Sequence, residues 1–462
     1  MISKHVLNEI RSAVGQHCVL TDKEELVCYS CDPSTFIAMP DAVVFPQNTR
    51  EVSDVLKIAN RERIPVVPRG AGSNLCGGVV PIRGGIVLLT DRMNRILEID
   101  QRNLTATVQP GVVLAHLHAA VERLGLFYPP DPASLSVSTL GGNVAEGAGG
   151  PRAVKYGTTK DYVLGLEVAL PTGEVIRTGG KTVKNVSGYD LTHLFVGSEG
   201  TLGFIAEITV RLIPLPEAKH TLLAVFDRLD DAAEAVADVI AARVVPATID
   251  IMDQTTMRYV EAYKPTGLPL DAEAVLLIEV DGSEQEVGRQ SALVERVIRS
   301  HNGRKVQVAR TAEASERLWT ARRMAGGALA AAAPTVITED ATVPREKVPE
   351  MVRALHGLGR KYDVVVALMG HIGDGNLHPL ILTDERKKDE WERVEKLVAE
   401  MFQSALALGG TLSGEHGIGL VKRPWMRAQF GEAGVEIMRK IKRVFDPNNI
   451  MNPGVMIPDE ER

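Results

Sequence analysis

The sequence has little cysteine, no long apolar run and no excess of positive charge. Four cysteines among 462 residues are too few for a disulfide scaffold. No window approaches the ~20 consecutive apolar residues of a membrane span, so we predict no transmembrane segment. The formal net charge of −7, without a run of Lys and Arg, excludes a nucleic-acid-binding surface. The N-terminal segment lacks the apolar stretch of a signal peptide, which predicts a protein of the cytoplasm or of the cytoplasmic membrane surface.

The cysteines include one C-x-x-C motif, formed by Cys28 and Cys31. Such a motif without a second cysteine pair is more often incidental than metal-binding. We therefore expect no Fe–S or metal site at this pair.

The chain is long enough for more than one packed unit. Its 462 residues exceed the roughly 250–300 at which a single core stops growing. Pro214 and Pro216 predict a domain boundary, because proline interrupts strand pairing. Strands and helices alternate after it in an α+β pattern, and the Ala-rich stretch Gly326–Pro334 predicts a buried helix. We predict a helical segment over 1–35, domains over 36–215 and 216–423, and a helical segment over 424–462.

Glycine is abundant, with 42 residues, and is concentrated in loops. The segment Pro68–Gly78 follows an apparent strand, and its glycines allow backbone N–H groups to approach an anion closely. A Rossmann fingerprint is excluded because Gly77, Gly78 and Pro81 cannot continue as the helix that this motif requires. The segment therefore predicts a phosphate-binding loop of another type.

Three further loops share this composition: Pro129–Ser134, Thr139–Gly150 and Gly197–Ile205. Each alone is typical of a tight turn. Together with Tyr156–Gly157 and Lys184–Asp190, their order resembles the p-cresol methylhydroxylase and vanillyl-alcohol oxidase superfamily, in the branch of glycolate oxidase catalytic subunits and D-lactate dehydrogenases. The resemblance covers nearly the whole chain.

The resemblance implies an α+β fold in which a two-part FAD-binding domain (36–215) precedes a substrate- and metal-binding cap domain (216–423). The helical tail would return to the flavin, with Asn452 near its ring. The implied FAD-binding residues are Pro68, Arg69, Gly70, Ala71, Gly72, Ser73, Asn74, Gly77, Gly78, Pro130, Asp131, Ser134, Thr139, Gly141, Gly142, Asn143, Gly149, Tyr156, Gly157, Glu199, Gly200, Gly203, Ile205 and Asn452.

Some relatives bind FAD covalently through a histidine or cysteine, which draws attention to Cys76 within the first loop. This branch normally has a small hydroxyl residue there and binds FAD without a covalent bond. We interpret Cys76 as a packing residue and expect non-covalent FAD.

A second group of polar residues lies on two glycine-rich turns. His371 and His378 flank a Gly-Asp-Gly turn between two apolar runs, and Glu415 and His416 lie in a later turn. Two imidazoles and a carboxylate are a recognised set of ligands for a divalent metal. A histidine pair on a loop is by itself more often structural than metal-binding.

The resemblance assigns roles to these residues. It implies that His371, His378 and Glu415 bind a divalent metal, which the ligand types leave open as zinc, manganese or iron. It implies that His416 is the catalytic base, which suits a side chain with a reference pKa of about 6.5. Arg322 corresponds to the arginine that binds the substrate carboxylate, where bidentate geometry favours Arg over Lys.

The expected activity is oxidation of a small D-2-hydroxy acid, D-lactate or glycolate, to the 2-keto acid. Thr338 stands where some D-2-hydroxyglutarate dehydrogenases have a lysine, which favours the smaller acids. The sequence has no Fe–S cysteine set, nicotinamide fingerprint or haem motif, so a separate acceptor is expected: an electron-transferring flavoprotein, an Fe–S subunit, a cytochrome or a quinone. The alternatives are a dehydrogenase for longer 2-hydroxy acids and a non-catalytic flavin subunit that relays electrons.

Overall fold

The computed structural model describes residues 2–458. Its α-helices are α1 Lys4–Val14, α2 Lys23–Leu26, α3 Thr49–Glu62, α4 Leu114–Glu122, α5 Leu140–Glu146, α6 Ala153–Tyr156, α7 Leu191–Phe195, α8 Leu229–Ala241, α9 Gln254–Tyr263, α10 Glu284–Ser300, α11 Ala312–Ala330, α12 Val348–Tyr362, α13 Lys388–Ala407 and α14 Met426–Phe445. Within this part of the chain, no helix is both long and apolar enough to span a bilayer.

The strands are shorter than most of the helices. They are β1 Val19–Leu20, β2 Ala42–Val44, β3 Val66–Arg69, β4 Ile86–Leu89, β5 Ile96–Asp100, β6 Thr105–Val108, β7 Leu126–Phe127, β8 Val163–Ala169, β9 Val175–Gly179, β10 Phe204–Arg211, β11 Ile213–Pro214, β12 Ala218–Phe226, β13 Thr248–Asp253, β14 Ala274–Gly282, β15 Lys305–Ala309, β16 Thr335–Thr338, β17 Ala341–Thr342, β18 Val365–His371 and β19 Asn376–Thr383.

The chain divides into two compact units. Unit 1 contains the chain up to Gly149, Thr158–Leu215 and the C-terminal segment from Glu415, and unit 2 contains Gly150–Gly157 and Pro216–Gly414. Unit 1 has a four-stranded sheet in the order β1-β2-β4-β3, in which β2, β4 and β3 are parallel. It also has a five-stranded antiparallel sheet in the order β5-β6-β10-β8-β9.

Unit 2 is built on one large antiparallel sheet. Its order is β15-β12-β14-β13-β18-β19-β16, and β17 pairs with β19 beside β16. Strand β13 is buried along its whole length, and β14 nearly so, because helices cover the sheet. Ala325, Ala328 and Leu329 of α11 pack into this core with Met252 of β13.

The helices form where the sequence predicts their apolar faces. Helix α3 begins after Asn48, whose side chain accepts a hydrogen bond from the Glu51 backbone N–H. Its buried side chains recur at helical spacing, at Val52, Val55, Leu56 and Ala59. They share one core with α1 and with the parallel sheet, so the N-terminal helix is part of unit 1 rather than a separate segment.

The domain limits differ from the prediction in two places. The division between Leu215 and Pro216 coincides with the predicted boundary, but residues 415–423 lie in unit 1. The Leu420 and Val421 N–H groups donate to the Cys76 carbonyl, which ties this segment to the first glycine loop. Residues 150–157 lie in unit 2, where the Tyr156 hydroxyl donates to Asp281 at 2.8 Å.

Two local predictions were wrong. The segment Thr139–Gly150 is not a continuous loop, because its residues Leu140–Glu146 form α5, which the Thr139 side chain caps by accepting from the Gly142 N–H. The Ala-rich stretch is a buried helix only in part. Helix α11 ends at Ala330, and Ala331 and Ala332 are exposed beyond it.

Candidate active site

Unit 1 contains a cavity of about 410 Å³ beside the first glycine loop. The loop continues β3, so the end of a buried parallel strand positions it. The predicted FAD-binding residues that line the cavity are Pro68, Arg69, Gly70, Ala71, Gly72, Ser73, Asn74, Gly78, Ser134, Thr139, Gly141, Gly142, Asn143, Gly149, Glu199, Gly200, Gly203 and Ile205.

Close approach of neighbouring side chains explains two of these glycines. A Cβ at Gly70 would lie 2.3 Å from the Thr139 hydroxyl oxygen. Gly72 has a φ of 67°, and a Cβ there would lie 2.2 Å from Nη2 of Arg69. Only glycine lets the loop adopt this path under the Arg69 side chain. The chemistry of the loop fits the phosphates of a dinucleotide, as the sequence predicts.

Several predicted residues do not line the cavity: Gly77, Pro130, Asp131, Tyr156, Gly157 and Asn452. Tyr156 and Gly157 lie in unit 2. The Pro130 carbonyl accepts a hydrogen bond from Nε2 of His118 at 3.0 Å. The sequence motifs include these residues, and their assignment to FAD stays a prediction.

Asn452 has a structural position that the sequence did not predict. Its side-chain Nδ2 donates to the carbonyls of Gly78 and Glu199, both at 2.7 Å, and its backbone N–H donates to the Val66 carbonyl. The side chain is 1% exposed. Asn452 therefore joins two segments that line the cavity, rather than lining it.

The cavity also contains acidic residues, one of which the sequence analysis missed. Glu199 accepts hydrogen bonds from the Ile418 and Gly419 N–H groups at 2.7 and 2.8 Å. Glu146 lines the cavity as well, and Cys76 Sγ lies 3.7 Å from its Oε2. Burial and the Glu199 carboxylate raise the pKa of Glu146. Glu146 lies within the glycine-rich segment Thr139–Gly150, which could have marked it as a cavity residue. It was missed because that segment was interpreted as a loop.

Cys76 is buried between these groups and the C-terminal segment. Burial and the charges of Glu146 and Glu199 raise the pKa of the Cys76 thiol. A thiol in this environment stays protonated, and a protonated thiol is a poor nucleophile. This electrostatic environment favours a packing role over covalent attachment to a flavin.

Glu415 and His416 line the same cavity of unit 1. They begin the segment that contains Ile418 and Gly419, which Glu199 holds by two backbone hydrogen bonds. A Cβ at Gly149 would lie 2.8 Å from Oε2 of Glu415, so the missing side chain makes room for this carboxylate. The structure therefore places the predicted base and one predicted metal ligand on the wall of the predicted flavin cavity.

The two predicted histidine ligands lie in unit 2 on one β-hairpin. His371 ends β18 and His378 is near the start of β19, and the two strands pair directly. Both residues are buried, and their rings lie 5.0 Å apart between centroids at an interplanar angle of 86°. Gly375 in the turn has a φ of 88°, and a Cβ there would lie 2.1 Å from the Val343 carbonyl oxygen. The turn chemistry predicted from Gly-Asp-Gly is confirmed.

A buried carboxylate lies beside each ring. Nδ1 of His371 lies 2.8 Å from Oδ1 of Asp250, and Nδ1 of His378 lies 3.3 Å from Oδ1 of Asp340. Metal-binding histidines commonly donate one ring N–H to such a group while the other nitrogen coordinates. The donor set of this hairpin therefore fits a divalent metal, which Nε2 of each ring would coordinate.

Arg322, the predicted substrate arginine, projects from α11 to the same aspartate. Its Nε lies 2.7 Å from Oδ2 of Asp250, and its side chain is 12% exposed. Burial alone would raise the pKa of Asp250, but His371 and Arg322 outweigh it and hold that pKa below its ordinary value. Sequence analysis missed Asp250, because it lies between Ile249 and Ile251 in a strand, without a glycine turn or a motif that would mark it.

Comparison with known proteins agrees with this geometry. The sequence matches the family described as "FAD linked oxidases, C-terminal domain" over residues 215–456 and the "FAD binding domain" over residues 40–179. It is 50% identical to "Glycolate oxidase subunit GlcD" of Bacillus subtilis, with 100% of this chain and 98% of the relative covered. It is 37% identical to "D-lactate dehydrogenase" of Anaerostipes hadrus, with 90% and 89% covered.

A solved structure of p-cresol methylhydroxylase with substrate bound has a similar fold. The TM-score is 0.82 at 19% identity, with 99% of this chain and 98% of that chain covered. This similarity confirms the predicted fold, and the family matches confirm the predicted FAD cofactor. The chain therefore belongs to the family of FAD-linked oxidases and is an FAD-binding oxidoreductase.

Proposed function

We propose that this chain oxidises a small D-2-hydroxy acid, D-lactate or glycolate, to the corresponding 2-keto acid with non-covalent FAD. The observation that carries the proposal is the 50% identity, over the whole chain, to a relative named as a glycolate oxidase subunit. The presence of His371, His378, Glu415 and His416 at the family's motif positions supports a catalytic rather than a relaying role.

The proposed metal ligands are His371, His378 and Glu415, for zinc, manganese or iron. Two observations within unit 2 support the histidines: their rings are neighbours, and a buried aspartate lies at each Nδ1. Glu415 follows Gly414 directly in the chain. A Cβ at Gly414 would lie 2.8 Å from Cγ of Asn376, so Gly414 packs on the hairpin that carries both histidines.

The cofactor, the metal and two side chains have separate roles in the proposed reaction. When bound, FAD supplies the hydride acceptor at its N5 atom, and a divalent ion lowers the pKa of the substrate hydroxyl. His416 accepts the hydroxyl proton while the α-hydrogen leaves with its electron pair. Arg322 binds the substrate carboxylate and so fixes which face of the α-carbon is presented.

The domain roles follow from this assignment. Residues 36–215 would bind FAD, 216–423 would bind the substrate and the metal, and 424–462 would complete the flavin site. Thr338, in β16, supports a substrate with one carboxylate, because the lysine that some relatives use for a second carboxylate is replaced there. A separate electron acceptor is required, and the word "subunit" in the name of the relative supports a protein partner.

An anaerobic absorbance titration of the purified flavoprotein tests the proposal. D-lactate, L-lactate, glycolate and D-2-hydroxyglutarate are added in turn, before and after treatment with a chelator. We expect D-lactate or glycolate to bleach the flavin bands, and we expect chelation to abolish the bleaching. Bleaching only by D-2-hydroxyglutarate would move the proposal to the longer acids. No bleaching by any acid, with FAD bound, would favour the electron-relaying subunit.

Replacement of the proposed base provides a second test. His416→Ala should retain FAD but lose substrate-dependent bleaching, because no group remains at this position to accept the hydroxyl proton. Stopped-flow absorbance measures the rate of reduction. A variant that reduces its flavin at the wild-type rate would refute the assignment of His416.

A further inference from the structure

Asp250 occupies a central position in unit 2 that the proposed reaction does not yet explain. It lies within β13, next to the pairing of this strand with β18, and its side chain is 1% exposed. One carboxylate oxygen lies 2.8 Å from Nδ1 of His371, and the other lies 2.7 Å from Nε of Arg322. A single buried carboxylate thus contacts both a proposed metal ligand and the proposed substrate arginine.

We propose that Asp250 is a positioning residue that couples the arginine for the substrate carboxylate to the histidine ligand of the metal. The inference rests on the proposed function for the roles of Arg322 and His371. Asp250 itself does not contact substrate or metal in this proposal. It acts by orienting the two groups that do.

The contact with His371 sets the chemistry of the ring. An Nδ1–H donor to Asp250 places the ring lone pair on Nε2, which is then the coordinating atom. The carboxylate also raises the basicity of the ring and so strengthens its bond to a metal. The β18–β19 pairing holds the backbone of His371, and Asp250 holds the rotation of its ring.

The contact with Arg322 sets the orientation of the guanidinium. Asp250 forms an ion pair at Nε without hydrogen-bond geometry, and in this proposal the two Nη nitrogens meet a substrate carboxylate as a fork. Arg322 lies on helix α11 and His371 lies on strand β18, so the two residues belong to separate elements of unit 2. The shared aspartate therefore fixes the distance between the carboxylate-binding and metal-binding groups, as chelation of a 2-hydroxy acid requires.

Asp340 provides a matched comparison within the same unit. It is 0% exposed, its Oδ1 lies 3.3 Å from Nδ1 of His378, and its Oδ2 accepts a hydrogen bond from Ser413 Oγ at 2.6 Å. Asp340 thus lies beside the second proposed ligand as Asp250 lies beside the first, although its contact is a longer ion pair rather than a hydrogen bond. Its second carboxylate oxygen accepts from a neutral hydroxyl, whereas that of Asp250 faces the charged Arg322, so Asp340→Asn should affect metal binding alone. Both aspartates are buried charges, and a general loss of stability would affect both variants alike.

The experiment compares Asp250→Asn, Asp340→Asn and Arg322→Lys in the FAD-loaded protein. The first readout is the affinity of the chelator-treated protein for Mn²⁺, measured from the electron paramagnetic resonance signal of the free ion. The second readout is the dissociation constant of D-lactate for the metal-free oxidised protein, measured by the perturbation of the flavin spectrum. Melting temperature and FAD content are recorded for each variant.

We expect Asp250→Asn to weaken both equilibria. Loss of a hydrogen-bonded group behind a metal ligand typically costs about 10- to 100-fold in metal affinity. A misoriented Arg322 should lose one charge-assisted hydrogen bond to the D-lactate carboxylate, which should raise the dissociation constant of D-lactate about tenfold. Asp340→Asn should weaken only Mn²⁺ binding, and Arg322→Lys should weaken only D-lactate binding.

Other outcomes overturn the coupling. The inference is wrong if Asp250→Asn alters only one of the two equilibria, or if Asp340→Asn alters both to the same extent. If the wild-type protein binds no Mn²⁺, Zn²⁺ or Fe²⁺, the proposed metal role fails and the coupling fails with it. If Asp250→Asn loses FAD, Asp250→Glu takes its place. It keeps the charge and should show the same two losses at smaller size, whereas two unchanged constants refute the coupling.

Discussion

Replacement of Asn452 tests whether the C-terminal segment holds the flavin cavity together. The Asn452 amide donates to two carbonyls that belong to separate cavity-lining segments, at Gly78 and at Glu199. Its orientation follows from these contacts, because a flipped amide would place its oxygen against both carbonyl oxygens. Asn452→Ala leaves two buried acceptors without their donor, and each such loss costs about 1–3 kcal/mol.

The cost should appear as weaker FAD binding, because both carbonyls belong to residues that line the cavity. If about 1.4–3 kcal/mol of the total falls on the bound state, the dissociation constant of FAD rises about 10- to 100-fold. Fluorescence titration of the apoprotein with FAD measures it. Melting temperature as a function of FAD concentration gives an independent value.

Three further variants separate the loss of the Asn452 amide from backbone strain and from general effects of a substitution in this segment. Asn452 has a φ of 42°, so Asn452→Gly removes the amide without the backbone strain that alanine adds. Asn452→Asp keeps the shape but turns a carboxylate toward two carbonyl oxygens, and it should bind FAD more weakly than Asn452→Ala. Asn448→Ala, at an exposed position four residues earlier in the chain, should bind FAD normally. Wild-type FAD affinity in a folded Asn452→Ala protein would refute the reasoning.

Three other predictions concern the same cavity. Gly72→Ala should abolish FAD binding, because its Cβ would lie 2.2 Å from Nη2 of Arg69 at a φ of 67°; retention of FAD in the purified variant would contradict this close packing. Cys76→Ser should keep FAD, and acid precipitation of the wild-type protein should leave a colourless pellet, whereas a yellow pellet would reveal a covalent bond. Glu146→Gln should flatten the pH dependence of the free energy of unfolding of the apoprotein. The pKa of Glu146 is raised in the folded protein, so its carboxyl binds a proton more tightly there than in the unfolded chain. Its contribution to the free energy of unfolding is therefore present at low pH and is lost as pH rises above the unfolded pKa of about 4.5. Urea denaturation from pH 4 to 8 measures this, and equal pH profiles of variant and wild type would show that Glu146 ionises normally.

The short motifs of the sequence predicted the family, and the family implied the fold and the cofactor. Such motifs can be read from the sequence because each depends on the chemistry of neighbouring residues. A glycine-rich loop after a strand indicates where the backbone can approach an anion, and residues 68–75 and Gly78 do line the cavity. The turn between His371 and His378 was equally readable, since Gly-Asp-Gly favours a tight reversal between two apolar runs. Glycine-rich loops and tight turns of this kind depend mainly on neighbouring residues, so they can be predicted from the sequence.

Contacts between residues far apart in the chain were not predicted from the sequence. The segment Thr139–Gly150 contains as much glycine as a loop, yet Leu140–Glu146 is helical because Thr139 caps it and Gly141 packs closely on Pro110. Tyr156 belongs to a motif of the FAD-binding family, yet its hydroxyl bonds Asp281 in unit 2. The Thr139 cap is a local signal, but Gly141 meets Pro110 and Tyr156 meets Asp281 across long stretches of chain, and no neighbouring residue indicates those two contacts.

The order of amino acids was enough to predict which residue types are available for chemistry and which short segments form turns, strands or helices. The tertiary structure decided which of these residues meet. Asp250 contacts Arg322, 72 residues later in the chain by their numbering, and His371, at a separation of 121 residues, because adjacent strands and a covering helix bring them together. Asn452 and Gly78 are 374 residues apart and share a hydrogen bond of 2.7 Å. Such contacts depend on strand order and helix packing over the whole unit, and no local pattern of residues encodes them.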